Sequence, residues 1–293
     1  MNVAQVTGVC VLGASCSDNH MRSESSAAAS SSNLEPAKMK YEKTEPANSL
    51  GYAKVSLHIG DKYAEGVIDA KGVEVIPLNT ELLVADITDA TALLQFANKF
   101  LFVDLDQGPV DTTLFATTDG FQFAEPFRSG LALVTVNDEQ FYINVNGERP
   151  LKETYDHAET FHSDRALVYN NNRKRIIDPK GHTVAELKYD QVSSYSASRW
   201  QVTRIKNEVY LSGFVDLDGK EVTSLVYDNV GMYQDDFKRT IVGIKGKLGF
   251  VDENGVVAIP LVYDYAEVFS KGKALVRLNG RFYFIDTTGK EVE

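Results

Sequence analysis

Residues 246–276 read GKLGFVDENGVVAIPLVYDYAEVFSKGKALV, and this stretch is one full copy of a unit that recurs along most of the chain. Apolar residues lead into Asp252, a short polar segment reaches Gly255, and Ile259-Pro260 precedes the Tyr263-Asp264 pair. Apolar and polar residues alternate with a period of two within the apolar segments, which is typical of half-buried strands. The stretch therefore predicts an all-β unit.

The acidic position of this unit recurs at a spacing of 34 to 40 residues. An Asp can accept hydrogen bonds from backbone amides a few residues on, and a following Gly can take the positive φ that closes a hairpin. We therefore interpret these residues as structural turn positions; they are Asp69, Asp104, Asn144, Asp178, Asp216, Asp252 and Asp286.

Two further patterns travel with the acidic position. A Tyr-Asp segment that ends on an aromatic residue recurs as YDHAETF at 155–161, YDQVSSY at 189–195, YDNVGMY at 227–233 and YDYAEVF at 263–269. An Ala-Leu-Val segment follows at 132–134, 166–168 and 274–276. No sustained helical period is present, and the best candidate for a helical turn is residues 81–99.

These motifs resemble the bacterial WG-repeat family, whose unit runs through Trp-Gly, an apolar-Asp turn, Ile-Pro and Tyr-Asp. Residues 246–276 match nearly the whole unit, with Gly249 in the Gly place and Leu248 where Trp is expected, and Gly213 matches in a second copy. The resemblance spans about residues 40–293 and implies a β-repeat envelope or interaction protein without a known catalytic set.

A short β unit cannot bury its apolar face alone, so neighbouring units must stack. About seven short antiparallel units fit a closed propeller-like ring, which we favour over an open β-solenoid. The last copy of the unit lacks Ile-Pro and Tyr-Asp segments, and residues 41–55 align with the Tyr-Asp part of other copies. We therefore expect residues 41–50 to complete the C-terminal sheet.

The N-terminus resembles a bacterial lipoprotein signal peptide. An uncharged segment of small and apolar residues precedes Cys16, although Gly13 stands where Leu is usual and no basic residue comes first. The resemblance implies that Cys16 is lipidated and that acyl chains hold the protein at a membrane. Ser, Ala and Asn dominate residues 17–39, which predicts a disordered tether. The predicted order is a signal segment (1–16), a tether (17–39) and the repeat domain (40–293).

Composition narrows the possible partners. The net charge of −11 argues against nucleic acid, whose phosphates require clustered Lys and Arg. The two cysteines, Cys10 and Cys16, both precede the repeats, so the repeat domain has no disulfide or Cys-based zinc site. No stretch of the chain is long and apolar enough to cross a bilayer, so the predicted membrane contact is through the lipid anchor only.

Candidate chemical groups have structural interpretations. The Asp216 and Asp252 turns have too few acidic ligands for a calcium site, and His157 and His162 alone make a poor metal site. Trp200 is expected in the core, with an exposed partner anchor as the alternative, and the basic run 173–175 is expected in a hairpin loop. No GxSxG, HExxH, P-loop or dinucleotide fingerprint is present. The predictions are no catalytic residues, no metal and no cofactor.

The leading hypothesis is a non-catalytic lipoprotein of the bacterial cell envelope, on its periplasmic or surface face, whose β-repeat domain binds a protein or glycan partner. One alternative is a propeller-type glycosidase or lyase with an acidic pair at one mouth, which is most expected where the units diverge, at residues 80–125, 195–212 or 231–240. The other alternative is a cytoplasmic interaction scaffold.

Overall fold

The structure is a computed structural model that describes residues 41–196 and 198–293. Apart from two short 3₁₀ helices at Leu105–Gln107 and Thr112–Ala116, every regular element in this part of the chain is a β-strand. The strands form seven small antiparallel sheets that follow one another along the chain. The prediction of an all-β repeat protein is therefore confirmed. The chain divides after Thr160 into two compact units.

The first unit contains three sheets. Strands β1 to β4 form the first sheet, β5 to β7 the second and β8 to β10 the third, and β11 is the last strand of the unit. Their bounds are β1 Lys43–Thr44, β2 Ala53–Ile59, β3 Lys62–Ile68, β4 Glu74–Asn79, β5 Leu82–Thr88, β6 Thr91–Phe96, β7 Lys99–Asp104, β8 Phe123–Ala124, β9 Leu131–Val136, β10 Glu139–Asn144 and β11 His157–Ala158.

In the second unit, β12 to β14 pair in order in the fourth sheet, β15 to β17 form the fifth, β18 to β21 the sixth and β22 to β25 the seventh. Their bounds are β12 Ala166–Asn170, β13 Arg173–Ile177, β14 Thr183–Leu187, β15 Gln191–Ser196, β16 Arg199–Lys206, β17 Val209–Asp216, β18 Asn229–Gln234, β19 Arg239–Ile244, β20 Lys247–Val251, β21 Val257–Tyr263, β22 Tyr265–Ala266, β23 Lys273–Leu278, β24 Arg281–Asp286 and β25 Glu291–Val292.

The order of strands within a sheet explains the order of motifs in the sequence. The seventh sheet begins with the short β22, which follows Tyr263-Asp264, and continues through the Ala-Leu-Val strand β23 and the aromatic strand β24 to β25. In the hairpin between β12 and β13, Asn171 and Asn172 both have positive φ, as a type I′ turn requires.

The predicted role of residues 41–50 is wrong. Lys43 and Thr44 pair with Ser56 and Val55 of their own sheet, and the seventh sheet takes its fourth strand from Glu291–Val292, which pairs with β24. Each of these sheets is built from consecutive strands, because the sheet begins at the Tyr-Asp segment rather than after it. Ring closure stays a prediction.

Two local expectations are also corrected. Residues 81–99 contain β5 and β6 rather than a helical turn, because Leu82 and Val84 are buried while Leu83 between them is exposed, which is the period of a strand. The basic run at 173–175 lies in β13 rather than in a loop. There Arg173 pairs with Glu186 of β14, with Nε–Oε1 and Nη2–Oε2 distances of 3.1 Å.

Neighbouring sheets within each unit pack through aromatic rings. Phe127 of the third sheet packs on Phe102 of the second, with ring centroids 4.7 Å apart, and Phe269 of the seventh packs on Phe250 of the sixth at 4.9 Å. All four rings are buried. The aromatic residue that ends the Tyr-Asp segment therefore supplies the inter-sheet core.

Arginines also join the sheets of the second unit. Arg199 begins β16, and its Nη2 donates to the Glu253 carbonyl in the turn of the next sheet at 3.2 Å. Arg239 occupies the matching place in β19 and donates to the Thr287 carbonyl at 3.1 Å. Arg165, one residue before β12, donates to Asp218 at 2.7 Å. Each arginine fixes the turn of the following sheet.

Candidate functional site

The side chains at the turn positions form hydrogen bonds with backbone N–H groups of the turn, and this explains them without a bound ligand. Asp252 Oδ1 accepts the N–H groups of Asn254 and Val256 at 2.8 and 2.9 Å, and Gly255 has a φ of +76°. The same bonds, from residues two and four places on, recur at five other positions: Asp69, Asn144, Asp178, Asp216 and Asp286. Because Asn144 makes these bonds too, the position requires an acceptor oxygen rather than a charge.

Asp104 departs from this pattern. Its Oδ1 accepts the Asp106 N–H at 3.0 Å, and the chain then forms a 3₁₀ helix over Leu105–Gln107. The following Gly108 donates to the Leu105 carbonyl instead of to the acidic residue. The difference lies within residues 80–125, where the sequence copies diverge most.

The Asp of the Tyr-Asp pair protects the end of a neighbouring strand. Asp190 Oδ2 accepts the N–H of Ile205 in β16 at 2.7 Å, and Asp228 Oδ2 accepts the N–H of Lys245 after β19 at 2.6 Å. These carboxylates satisfy donors that no further strand covers, so they are structural.

The Gly of the Trp-Gly place allows close approach of the next strand. A Cβ at Gly249 would lie 2.6 Å from the carbonyl oxygens of Ile259 and Pro260, and one at Gly213 would lie 2.7 Å from Thr223 Oγ1. Gly66 occupies the same place in the first sheet, 2.6 Å from the Ile76 carbonyl oxygen. The sequence reasoning missed Gly66, although it directly precedes the apolar pair before Asp69.

A pocket of about 260 Å³ breaks the repeat pattern in the first unit. It lies between the loop that follows β1, strand β2 and strand β5. A β-bulge places Ala85 as an extra residue between Val84 and Asp86, which pair with adjacent residues of β6. The lining residues are Glu45, Pro46, Asn48, Tyr52, Lys54, Val84, Ala85, Asp86 and Ile87. Part of the lining therefore falls within the divergent region 80–125 that we singled out.

A buried ion pair supports this pocket. Lys54 Nζ lies 2.7 Å from Glu65 Oε1 and donates to the Val84 carbonyl at 2.9 Å. Glu65, which is only 5% exposed, also accepts the Val84 N–H on Oε2 at 2.6 Å. Both carboxylate oxygens are thus engaged, and the pair ties the first sheet to β5. A buried pair satisfied in this way is expensive to break. Glu65 occupies the Trp place of the repeat, and a charge there is the only sequence signal for it.

The rim of the pocket is polar and partly pre-ordered. Glu45 pairs with Lys43 at 2.8 Å, and that hydrogen bond, with the charges of Lys43 and Lys54, holds the pKa of Glu45 below its usual range. Tyr52 donates to Asp106 at 2.8 Å, and burial together with this carboxylate raises the tyrosine pKa. Asn48 Oδ1 accepts the Leu50 and Tyr52 N–H groups, which fixes the loop.

The pocket can therefore accept hydrogen bonds from a polar ligand. Carboxylates of Glu45 and Asp86 line it, and its single lysine is neutralised by Glu65. Such a lining disfavours anionic ligands and suits hydroxyl or ammonium donors, since hydrogen bonds to an ionised acceptor are short and strong. Concave sites with a few converging polar groups are typical of small-ligand binding.

Among the described residues, the other residues singled out in the sequence do not form a second candidate site. Cys16 lies outside the described residues. In the part of the chain that the structure describes, no three His, Cys, Asp or Glu side chains are grouped to hold a metal ion. No helix among residues 41–196 and 198–293 is long and apolar enough to cross a membrane. Trp200 is 1% exposed and packs with Val202 and Val215, so it belongs to the core and is not a partner anchor.

The successive small antiparallel sheets and their turn chemistry define a β-propeller-like repeat protein. Within its second unit, the family described as WG containing repeat matches residues 176–198, 213–247 and 249–282. The family resemblance is thereby confirmed over residues 176–282.

No curated protein matches the chain. Solved structures similar to it include a eukaryotic initiation factor, with a TM-score of 0.49, 11% identity and coverage of 86% of this chain and 76% of that one. AztD from Citrobacter koseri has a TM-score of 0.36 and 10% identity, covering 85% and 84%. YCF48 bound to D1 peptide has a TM-score of 0.32 and 13% identity, covering 78% and 86%.

Proposed function

We propose that this chain is a non-catalytic binding protein of the bacterial cell envelope, whose β-repeat domain binds a glycan or protein partner. The observation that carries the proposal is the contrast between repeated and unrepeated polar groups. The repeated Asp residues are used by turns and strand ends, whereas the buried Lys54–Glu65 pair and Asp86, which adjoin one pocket, stand at none of these turn or strand-end positions.

Of the two partner classes, the pocket favours a glycan. Sugar hydroxyl groups are donors that match the carboxylates of Glu45 and Asp86. The small volume, about 260 Å³, suits one sugar residue at the end of a chain better than a folded protein surface. The paired Lys54 gives no free cation for an acidic sugar, so the expected ligand is neutral or amino-substituted.

Glycan binding can be tested with the full-length protein. An array of neutral, amino and acidic glycans identifies the best sugar, and isothermal titration calorimetry then compares wild type with Asp86→Ala. Loss of one hydrogen bond to a charged group should weaken binding about tenfold or more. Asp119→Ala removes an equal charge from an exposed residue outside the pocket and should bind as wild type. Binding that Asp86→Ala leaves intact contradicts the pocket assignment.

For location, the proposal is a lipid anchor at Cys16 with residues 17–39 as the tether. It rests on the small, apolar segment before Cys16 and on the polar composition that follows. Metabolic labelling with radioactive palmitate should label the wild type and not Cys16→Ala. Label retained by Cys16→Ala rules that cysteine out, and recovery of the native protein in the cytoplasmic fraction favours the interaction scaffold instead.

A second candidate function is a glycosidase or lyase, because Glu45 and Asp86 bring two carboxylates to one pocket at a divergent segment. Glycoside hydrolysis uses such a pair, one as general acid and one as nucleophile or base. Incubation of the best glycan ligand with protein, followed by chromatography of the products, distinguishes the two functions. Turnover that Asp86→Asn and Glu45→Gln both abolish would establish catalysis; unchanged glycan supports binding alone.

A further inference from the structure

The hairpin of β16 and β17 is longer than its counterparts. These strands are paired over eight residues, whereas the corresponding hairpins of the second unit are paired over five or six. The sequence contains the signal: Asp178 and Asp216 are 38 residues apart, against 34 between Asp252 and Asp286. The four extra residues extend the hairpin by two residues in each strand.

The tip of the β16–β17 hairpin extends beyond the strands on either side of it. On the side of β16, the last pair with β15 joins Gln191 and Thr203, and the next outward N–H, that of Ile205, is covered by Asp190. On the side of β17, the last contact is the Ser212–Tyr227 bridge. One edge of the extension is therefore protected by a carboxylate.

The other edge is open at Tyr210. The backbone N–H and C=O of Ser212 both form hydrogen bonds with Tyr227. These two groups of Ser212 therefore point away from β16. In an antiparallel ladder every second residue points the same way, so the N–H and C=O of Tyr210 also face outward. Among the described residues, none pairs with Tyr210 on that side.

Apolar side chains accompany this open backbone. Tyr210 is 53% exposed and Ile205, its partner across the hairpin, is 38% exposed. On the opposite face of the hairpin, Val209 is 52% exposed beside Lys206, and Arg204 lies on that same face. Natural proteins normally shield an exposed edge of this kind, because it is a template for another strand. The fold leaves this one open.

We propose that the β17 edge at Tyr210 is a docking site for an extended peptide segment of a protein partner, which adds to the sheet as a further strand. Backbone hydrogen bonds to Tyr210 give affinity in this mode, and alternate side chains give specificity. This site is separate from the pocket and does not depend on the proposed glycan ligand.

The register also indicates the chemistry of the peptide. On the face that carries Ile205 and Tyr210, side chains of the peptide contact apolar groups. On the other face they contact Val209 of β17, and Arg204 and Lys206 lie on β16, the next strand of the sheet. Two strand spacings are about 10 Å, within reach of long side chains. The Arg204 guanidinium lies over the Tyr189 ring, whereas Lys206 has no ion-pair partner among the described residues, so an alternating apolar and acidic segment fits best.

The β2–β3 hairpin of the first sheet is similarly long and allows a comparison with the edge at Tyr210. Tyr63 pairs with His58 there in the same arrangement as Tyr210 with Ile205. The Tyr63 ring contacts the His58 ring edge-on at 5.1 Å, and its hydroxyl donates to Ser56. Because that tyrosine is already engaged, we assign the docking edge to Tyr210 alone.

Three variants of the full-length protein isolate the edge. Tyr210→Pro removes the outward N–H without touching the β16–β17 ladder, since proline is tolerated where a strand N–H faces solvent. Tyr210→Phe keeps both the ring and the N–H and is the matched control. Deletion of residues 205, 206, 209 and 210 leaves six pairs, the hairpin length of the seventh sheet, and removes the site if the proline variant fails to fold.

The probe is a phage-displayed library of random dodecapeptides selected on the wild-type chain, with affinities of chosen peptides measured by calorimetry. Enrichment of alternating apolar and acidic sequences is expected, with binding at least tenfold weaker in Tyr210→Pro and absent in the deletion variant, and wild-type affinity in Tyr210→Phe. No enrichment, basic peptides, or binding that survives the deletion would overturn the proposal. Self-association of the wild type that the deletion abolishes would also overturn it, since the occupant would then be a second copy.

Discussion

The carboxylate of Asp190, directly before β15, accepts the backbone N–H of Ile205 in β16 at 2.7 Å. Asp228 and Lys245 repeat this relationship in the sixth sheet at 2.6 Å. The Tyr-Asp motif therefore has a structural role: its Asp, directly before the first strand of a sheet, accepts an N–H at the end of the second strand. Its recurrence requires no shared catalytic chemistry.

The first prediction concerns this strand-end bond. Asp228→Ala should lower the free energy of unfolding by about 1 kcal/mol, because the Lys245 N–H loses its acceptor at a solvent-accessible site. Asp228→Asn keeps an acceptor oxygen and should lose less. Urea denaturation followed by circular dichroism measures both, and equal losses in the two variants would contradict the hydrogen-bond explanation.

The turn residues give a second prediction, with a control supplied by the chain itself. Asp252→Asn should be nearly neutral, because Asn144 makes the same two bonds with its side-chain oxygen at 3.0 Å each. Asp252→Ala should cost about 1–2 kcal/mol, since two turn N–H groups lose their acceptor. A loss in Asp252→Asn as large as in Asp252→Ala would show that the charge, not the acceptor, stabilises the turn.

A third prediction separates backbone strain from inter-sheet contact at glycine. Gly280 and Gly255 have φ values of +80° and +76°, but a Cβ at Gly280 meets nothing within 4 Å, whereas one at Gly255 would lie 2.2 Å from the Val222 carbonyl oxygen of the preceding sheet. Gly280→Ala should cost about 1–2 kcal/mol from the left-handed conformation alone. Gly255→Ala should cost clearly more, and thermal melts that rank the two variants equally would refute the contact.

The buried pair beneath the pocket provides a fourth prediction. Lys54→Met should destabilise the fold by about 3–5 kcal/mol, because Glu65 would remain buried and charged without its partner. Adding Glu65→Gln should recover part of that loss, since the neutral amide oxygen still accepts the Val84 N–H. Denaturation of both single variants and the double variant gives the coupling energy, and strict additivity would argue against a direct pair.

A fifth prediction concerns acid. The Thr288 hydroxyl and the N–H groups of Lys290 and Thr288 donate to Asp286 and hold its pKa below the usual range. A lowered folded-state pKa stabilises the fold above the unfolded pKa of about 4, and this contribution is lost as pH falls through the folded pKa. Asp286→Asn should therefore flatten stability against pH below about 4. An unchanged acid limb would remove Asp286 as a contributor.

Several features were readable from local sequence because their causes are local. A turn that needs one acceptor and one positive φ places Asp252 and Gly255 three residues apart. The aromatic partners Phe250 and Phe269 were recognisable as repeated positions, although their ring contact was not.

The sequence by itself determined the all-β class, the period of the units and the turn residues, since these depend on hydrogen bonds and alternation within a few residues. Tertiary structure alone decided that Lys54 meets Glu65 beside Val84, that residues 43–44 belong to the first sheet, and that Tyr210 lies at an open edge. Those relationships join segments whose proximity depends on how whole strands pair and sheets pack, and no local pattern encodes that choice.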